Sequence, residues 1–581
     1  MKLILRFLKP HWKLCLITIL FVIVDVVGAL IIPTFAADML NQGTAAGADF
    51  SALVNTCVKM LAAALISGVA TILGAYTCSD LTSKVGADIR SSLYKKTLRL
   101  SGADFRSFGT ASVTTRTVSD ITNIQFALLS CFQMLFPVPV IFVVSLVLTF
   151  QKDILMGVIL LGILLIIAIV AGIIMKSTAP MFRKLQKKLD TMSKVLLENI
   201  TGVRVIRAFD KESSEEQRLN TEFSDYAGTA IKVNKRFAIL DSISNFAINM
   251  FIILVYTFSG FRITAGHFQI GDITAIIEYA MLSLFFLMMA QMVILTLPRA
   301  LECCNRVSEM MNFSPTIADR KNKWAEEKEN CQDVLTFKKV SFRFADADEY
   351  EYTLKNLNFT CRRGETTAII GGTGSGKSTV ASLMMRFNEV TDGVVLLNGV
   401  DIREMPQSQL RERLSFVQQR AWLFSGTIAE NLRYGNSEAT DEQLWHALSI
   451  AQAKDFVEAL PDKLESFVAQ GGTNFSGGQK QRLSIARALV KRPELYIFDD
   501  SFSALDFKTD AALRKALIPE TKDAAVVIIA QRISTILHAD SIIVLHEGEP
   551  VGIGKHEELL TNSPIYKEIY DSQTKEASEH E

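Results

Sequence analysis

An all-α membrane domain of six helices with long cytoplasmic extensions, followed by an α/β domain, is the fold class predicted for this 581-residue chain. Two observations carry the prediction. Up to about residue 310 the sequence runs in long apolar stretches separated by polar segments; from about residue 332 short β-rich runs alternate with helical ones. Composition agrees, since 49% of the residues are hydrophobic and a chain of this length needs two or more cores. Lys plus Arg and Asp plus Glu number 61 each, leaving no surplus of cations to grip a phosphate backbone, so no nucleic-acid partner is expected.

Six apolar runs, at roughly 14–37, 53–78, 127–150, 154–175, 237–260 and 273–297, meet the length of about 20 residues that a bilayer crossing requires. The fourth run carries no charge over 22 residues, and a soluble helix keeps a polar face. The basic, aromatic N-terminus lacks a small-residue cleavage site, so the first run is expected to be retained. Orientation follows from the cations: segment 79–126 holds seven and segment 176–236 thirteen, whereas 38–52 has none, 151–153 has only Lys152 and 261–272 only Arg262. Both termini and the α/β domain are therefore expected in the cytoplasm, with the protein integral to a prokaryotic plasma membrane and surrounded by lipid. The two cationic segments also keep helical apolar spacing (Leu93, Leu98, Leu100; Leu185, Leu189, Met192, Leu196). They read as membrane helices that continue below the bilayer and reverse near 103–110 and 209–219, suited to docking on a soluble engine.

Residues 312–331 are polar and highly charged, the composition of a linker, which divides the chain into 1–311, 312–331 and 332–581. The eight cysteines (positions 15, 57, 78, 131, 303, 304, 331 and 361) show no metal-type spacing and read as free, buried thiols of a reducing, cytosol-facing protein, with no zinc or redox site.

Gly371, Gly372, Thr373, Gly374, Ser375, Gly376, Lys377 and Ser378 fit G-x-x-x-x-G-K-[ST] between the strand-like TTAII and the helical run that starts at Thr379. Glycines let backbone N–H groups wrap phosphate oxygens, the following helix presents its positive end, Lys377 neutralises the outer phosphates and Ser378 ligates Mg2+. The second domain is thus expected to be an α/β P-loop nucleotide-binding domain, with Thr379 continuing the phosphate site. In ELYIFDD an apolar strand delivers Asp499 toward the same metal. About 100 residues after the loop, Ser476, Gly477 and Gly478 open another helix able to present N–H donors to phosphate. Two phosphate-binding elements so far apart are explained by two chains that share nucleotides across an interface.

The order of these motifs behind six spans resembles an ABC transporter half-molecule of the exporter type. The resemblance covers nearly the whole chain and rests on the phosphate loop, FSGGQ, FDD followed by SALD, and GKHEELL. It implies two nucleotide-binding domains closing head to tail around two ATP molecules, each held between one chain's loop and the other chain's signature. It assigns Phe344 to stacking on adenine, Gln419 to the magnesium and attacking water, Ser476, Gly477, Gly478 and Gln479 to the signature, and Asp506 to the partner's site. It also implies hydrophobic or amphipathic small-molecule cargo of the multidrug type, with a lipid or peptide exporter, or an ATP-gated channel or regulatory membrane subunit, as alternatives.

The family pattern breaks at four places, at Phe344 only mildly. Asp500 stands where the family carries the catalytic glutamate, a carboxylate withdrawn by about 1.5 Å, which is expected to cost on the order of a hundredfold or more in rate. Gln531 stands where a histidine contacts the γ-phosphate, and Gln470 where a glutamate is common. Phe344 replaces the usual tyrosine and keeps its stacking face. A weakened Walker site beside an intact signature is what an asymmetric heterodimer requires, so a second, dissimilar ABC half-transporter is expected as partner. Asp25, the acid most clearly inside a span, is either a cargo-cavity residue or a structural hydrogen-bonding group. Met281, Phe285, Phe286, Met288, Met289 and Met292 give the sixth span a pliable surface that suits either amphiphiles or packing.

Overall fold

The computed structural model describes residues 2–44, 50–264, 269–319, 331–344, 347–348 and 351–579. Residues 320–330 of the expected linker, parts of the loops 38–52 and 261–272, and the side chains of Arg262 and Met292 lie outside the described set. The chain divides into two compact units: residues 1–99 with 108–314, and residues 100–107 with 315–581.

In the first unit, six helices among the described residues are long and apolar enough to cross a membrane: Lys2–Thr44, Phe50–Thr97, Thr110–Lys152, Ile154–Thr178, Glu212–Gly260 and Ile270–Ala290. The six apolar runs fall on these helices in order, the sixth continuing along a helix that ends at Asn312. Ile154–Thr201 and Glu212–Thr264 have 48 and 53 residues. At 1.5 Å per residue such helices reach about 70 to 80 Å, more than twice the hydrocarbon thickness, so each has a long extension. The extensions reverse through the short helix Val203–Ala208 and a turn before Glu212, and the other pair reverses around Gly102–Phe108. By contrast, Lys152 and Ile154 are separated by one residue, Asp153, whose side chain caps the next helix by accepting from the Met156 N–H at 3.0 Å.

Small residues let the first two spans approach closely. A Cβ at Gly28 would lie 2.7 Å from Ser67 Cβ, and one at Gly74 3.3 Å from Phe21 Cβ. Val26, Leu30, Ile141, Ala275 and Tyr279 bury one cluster joining the first, third and sixth spans. Met156, Leu160, Phe251, Val255 and Ile276 join the fourth, fifth and sixth. Where the third span ends, Lys152 Nζ lies 3.2 Å from Asp38 and 2.9 Å from Asp272. All eight cysteines are free, but only Cys78, Cys303, Cys304 and Cys361 are buried as expected, and Cys57, on a membrane-spanning helix, is exposed.

The second unit is built on β1 (Asp333–Phe342), β2 (Leu354–Arg362), β3 (Thr366–Gly371), β4 (Asp392–Leu397), β5 (Val400–Asp401), β6 (Leu414–Val417), β7 (Gly426–Thr427), β8 (Phe467–Val468), β9 (Leu495–Asp499), β10 (Ala525–Ile529), β11 (Ser541–His546) and β12 (Glu549–Gly554). A four-stranded antiparallel sheet has the order β2-β1-β4-β5, and a six-stranded sheet the order β12-β11-β3-β10-β9-β6, parallel except at β12. Both faces of the large sheet are covered, with Ile370, Phe498 and Ile528 in one cluster and Ile369, Ile497 and Val527 in another. That is why these strands read as unbroken apolar runs rather than alternating ones. The parallel arrangement sends the C-terminal ends of β3, β6, β9 and β10 to one edge, which is where α/β sheets hold ligands.

The segment 100–107 belongs to this unit through a capping box. The Asp104 carboxylate accepts from the Ser101 and Thr316 N–H groups, both at 3.1 Å, while the Asp104 N–H donates to Ser101 Oγ at 3.1 Å. Burial by itself pushes the Asp104 carboxyl up, but the hydrogen bonds from Thr316 and Ser101 outweigh it and leave it below its ordinary value. Two residues after Thr316, the Ala318 carbonyl accepts at 3.3 Å from the 1%-exposed Arg386, which also donates to the carbonyls of Ile402 (3.2 Å) and Met405 (3.0 Å) and pairs with Glu389 at 2.8 Å.

Candidate nucleotide site

The phosphate loop leaves β3 at Gly371 and enters the helix Lys377–Met384 through Gly376, whose φ of +95° is reserved for glycine. A Cβ at Gly376 would also stand 2.5 Å from Leu354 Cδ2. At Gly372 and Gly374 an added Cβ would meet nothing within 4 Å among the described residues, so there the loop has room beside it. Ser375 Oγ is buried without a hydrogen-bond partner among the described residues. An unused hydroxyl, open room and a helix N-terminus fit a string of phosphates. Lys377, 8% exposed, folds its Nζ onto the carbonyls of Gly371 (2.8 Å) and Gly372 (2.7 Å). Burial lowers its pKa, against the pull of Asp500 and Asp499. A half-desolvated ammonium parked on two carbonyls gains by turning to a phosphate.

β10 separates β3 from β9, and Asp499 ends β9 with its carboxylate accepting from Ser378 Oγ at 3.2 Å. Burial raises the Asp499 pKa, with Ser378 and Lys377 pulling it down and Asp500 adding to the rise. Ser378 and Asp499 form the oxygen pair that fits Mg2+. Asp500 turns off the strand with φ +47° and donates its N–H to the Ile529 carbonyl at 2.8 Å. Gln419, just beyond β6, reaches across and donates Nε2 to Asp500 Oδ2 at 3.0 Å. Loop, Asp499, Asp500 and Gln419 therefore meet at the same sheet edge.

Gln531 leaves the neighbouring strand at that edge, since Asp499 and Ile529 are partners in the parallel ladder and Gln531 follows two residues later. It is exposed. Phe344, half-buried, makes an edge contact with Phe342 at 4.8 Å between ring centroids. The signature forms a separate group. Ser476 caps the helix Gly477–Val490 in a reciprocal box with Gln479, with bonds of 3.3 and 2.9 Å, and no described hydrogen bond joins these residues to the Gly371–Ser378 loop. A Cβ at Gly478 would come 3.2 Å from the Ala504 carbonyl, which sets the signature against the SALD segment. Asp506 in that segment caps the helix Phe507–Glu520, and the Thr509 N–H it accepts at 2.9 Å holds its carboxyl below its ordinary value. Gln470 lies exposed in a 3₁₀ turn. In the other unit, Asp25 accepts from Ser67 Oγ at 3.1 Å and from Thr71 Oγ1.

Sequence reasoning missed three residues that brace the site: Gln481, which donates to the Gln418 carbonyl at 3.1 Å, and Arg514 and Gln573, which hold the segment carrying Gln531. None stands in a motif with chemistry of its own, so only the folded contacts identify them.

Residues 14–288 match the family model described as the ABC transporter transmembrane region, and residues 354–503 the one described as ABC transporter. The chain is 33% identical over 575 residues to an uncharacterised ABC transporter ATP-binding protein of Mycobacterium tuberculosis, covering 98% of both. It is 29% identical, over 99% of both, to a Bacillus subtilis ATP-binding/permease protein whose name carries a provisional multidrug-export assignment. A bacterial Atm1-family ABC exporter solved with ATP bound shares the fold with a TM-score of 0.80 at 23% identity, covering 97% of this chain and 98% of that one. With a six-helix membrane region, a complete phosphate loop and this similarity over its full length, the chain belongs to the ABC transporter family as a half-transporter, its membrane domain fused to an ATP-binding domain.

Proposed function

We propose that this chain is one subunit of a heterodimeric exporter that uses ATP to move hydrophobic or amphipathic compounds out of the cytoplasm, holding ATP in its own site and completing the faster site of a dissimilar partner. The observation that carries the reading is the Gln419 to Asp500 hydrogen bond of 3.0 Å, because the carboxylate that must order the attacking water is the short one and is already engaged by an amide. Gly371 to Thr379 bind and orient the triphosphate, with Lys377 leaving its two carbonyls for the outer phosphates. Bound between Ser378 and Asp499, Mg2+ would supply charge neutralisation at the β- and γ-phosphates. Phe344 offers a face to adenine, and Gln531 offers a neutral amide to the γ-phosphate in place of a titrating ring. Ser476, Gly477, Gly478 and Gln479, which stand apart from this chain's own loop, serve the partner's nucleotide, with Asp506 beside them. Closure of the paired ATP-binding domains then switches the membrane domain between inward and outward access.

The test is to purify the assembly from its native membrane, count its polypeptides and follow nucleotide at each site. Two different chains, with ATP retained on this one, are expected; two identical copies that both turn over briskly would sink the proposal. The slow site equally suits an ATP-gated channel, which cargo accumulation against a gradient excludes. A lipid or peptide cargo is separated from a drug-like one by the compound that stimulates turnover.

A further inference from the structure

The segment after β10 that carries Gln531 is held from two sides by residues remote in sequence. Gln573, in the C-terminal helix Pro564–Glu579, uses both ends of its amide: Nε2 donates to the Gln531 carbonyl at 2.7 Å, and Oε1 accepts from the Ile533 N–H at 2.8 Å. Arg514, in the helix that Asp506 caps, donates to the carbonyls of Ser534 at 2.8 Å and Thr535 at 3.2 Å while paired with the buried Asp510 at 2.8 and 3.1 Å. Arg514 can only donate, and it holds the far end of the segment. Gln573 holds the near end, at residue 531 itself and two residues beyond. A carboxamide is suited to this, because it satisfies one backbone carbonyl and one backbone N–H together. The pairing anchors the backbone of Gln531, whose exposed side chain makes no hydrogen bond among the described residues.

We propose that Gln573 is a positioning residue of the nucleotide site: by anchoring the backbone at 531 and 533 it aims the Gln531 side chain, and so makes the C-terminal helix part of the apparatus that distinguishes ATP from ADP. This rests on the assignment of Gln531 to the γ-phosphate made above. Only ATP carries that phosphate, so loosening the anchor weakens ATP and leaves ADP unaffected. A general structural defect would weaken both.

The experiment uses the full-length assembly in membranes. An 8-azido-ATP probe is photocrosslinked, its labelling read on this subunit by mass, and competed with ATP or ADP. Gln573→Ala and Gln573→Glu are compared with Gln531→Ala; the glutamate keeps the acceptor for Ile533 but replaces the donor to the Gln531 carbonyl with a repelling charge. Each variant is expected to lower the ATP-to-ADP affinity ratio roughly three- to tenfold, the loss of one or two hydrogen bonds. The Gln573→Ala, Gln531→Ala double variant is expected to lose no more than Gln531→Ala alone. A ratio lowered by Gln531→Ala but unchanged by both Gln573 variants overturns the inference, as does an equal loss of ATP and ADP. A ratio unchanged by Gln531→Ala overturns the γ-phosphate assignment first, and this inference with it.

Discussion

Asp500 and Asp499 are adjacent carboxylates with opposite demands. If, as proposed, the short Asp500 side chain limits this subunit's site, restoring one methylene in Asp500→Glu is expected to raise turnover there by roughly tenfold to a hundredfold, read as phosphate release from the purified assembly. An unchanged rate would show that the shorter carboxylate does not limit turnover. Asp499 needs charge in a buried place. Its pKa is raised chiefly by burial, so the folded, empty domain takes up its proton more readily than the unfolded chain does, and this contribution to stability is present at low pH and lost as pH rises through the raised pKa. Asp499→Asn is therefore expected to raise the melting temperature of the nucleotide-free protein at neutral pH while abolishing Mg2+-dependent hydrolysis, a combination that calorimetry and a phosphate assay check together. For the same reason, Mg2+-nucleotide affinity should fall on acidification at a higher pH than for an ordinary carboxylate, as a metal titration across pH would read.

At the scale of elements, ends and close approaches do most of the specifying. The phosphate loop turns into its helix only because Gly376 takes φ +95° against Leu354, and Gly376→Ala is expected to cost about 1–3 kcal/mol and to lose nucleotide binding, measured by thermal unfolding with and without ATP. The capping box at Ser101 and Asp104 has the reverse pH signature to Asp499. Because hydrogen bonding holds the Asp104 carboxyl below its unfolded value, its stabilisation is present above the ordinary carboxylate pKa and lost as pH falls through the lowered one. Asp104→Asn is accordingly expected to destabilise the protein by about 1–3 kcal/mol at neutral pH, an effect that shrinks in acid, where urea titrations at two pH values would find it. In the membrane helices, the Asp25 carboxylate meets hydroxyls of the second span, which supports the structural reading of that acid. If Asp25 instead faces cargo, Asp25→Asn weakens transport of cations more than of neutral amphiphiles; equal effects on both leave only the hydrogen bond.

For the whole molecule, the six spans and the order of the nucleotide motifs were legible in the sequence for a simple reason. Crossing a bilayer requires about 20 apolar residues in a row, and cradling phosphate requires glycines, a lysine and a hydroxyl at fixed spacing. Both are local demands, met by neighbours in the chain, and so they leave unbroken signals. The buried strands β3, β9 and β10 were legible on the same grounds, each a short apolar run that leads into the site: β3 ends at Gly371, β9 at Asp499, and β10 two residues before Gln531. Less of the third span was readable: its π-helical turns at Arg116–Asp120 and Cys131–Leu135 have no pattern in the letters, because a backbone bulge is settled by what packs against it. The braces were not readable either. Gln573 lies 42 residues from Gln531 and Asp104 lies 212 from Thr316, and no motif links either pair; Gln419 and Asp500, 81 residues apart, were each placed at the site by their motifs, but the bond between them was not. What the amino-acid order determined by itself was the kind of protein, a membrane-spanning half-transporter with an ATP loop. What only the tertiary structure decided was which distant side chains hold that loop's neighbours in place, since a hydrogen bond across many residues depends on where the backbone has brought its two ends.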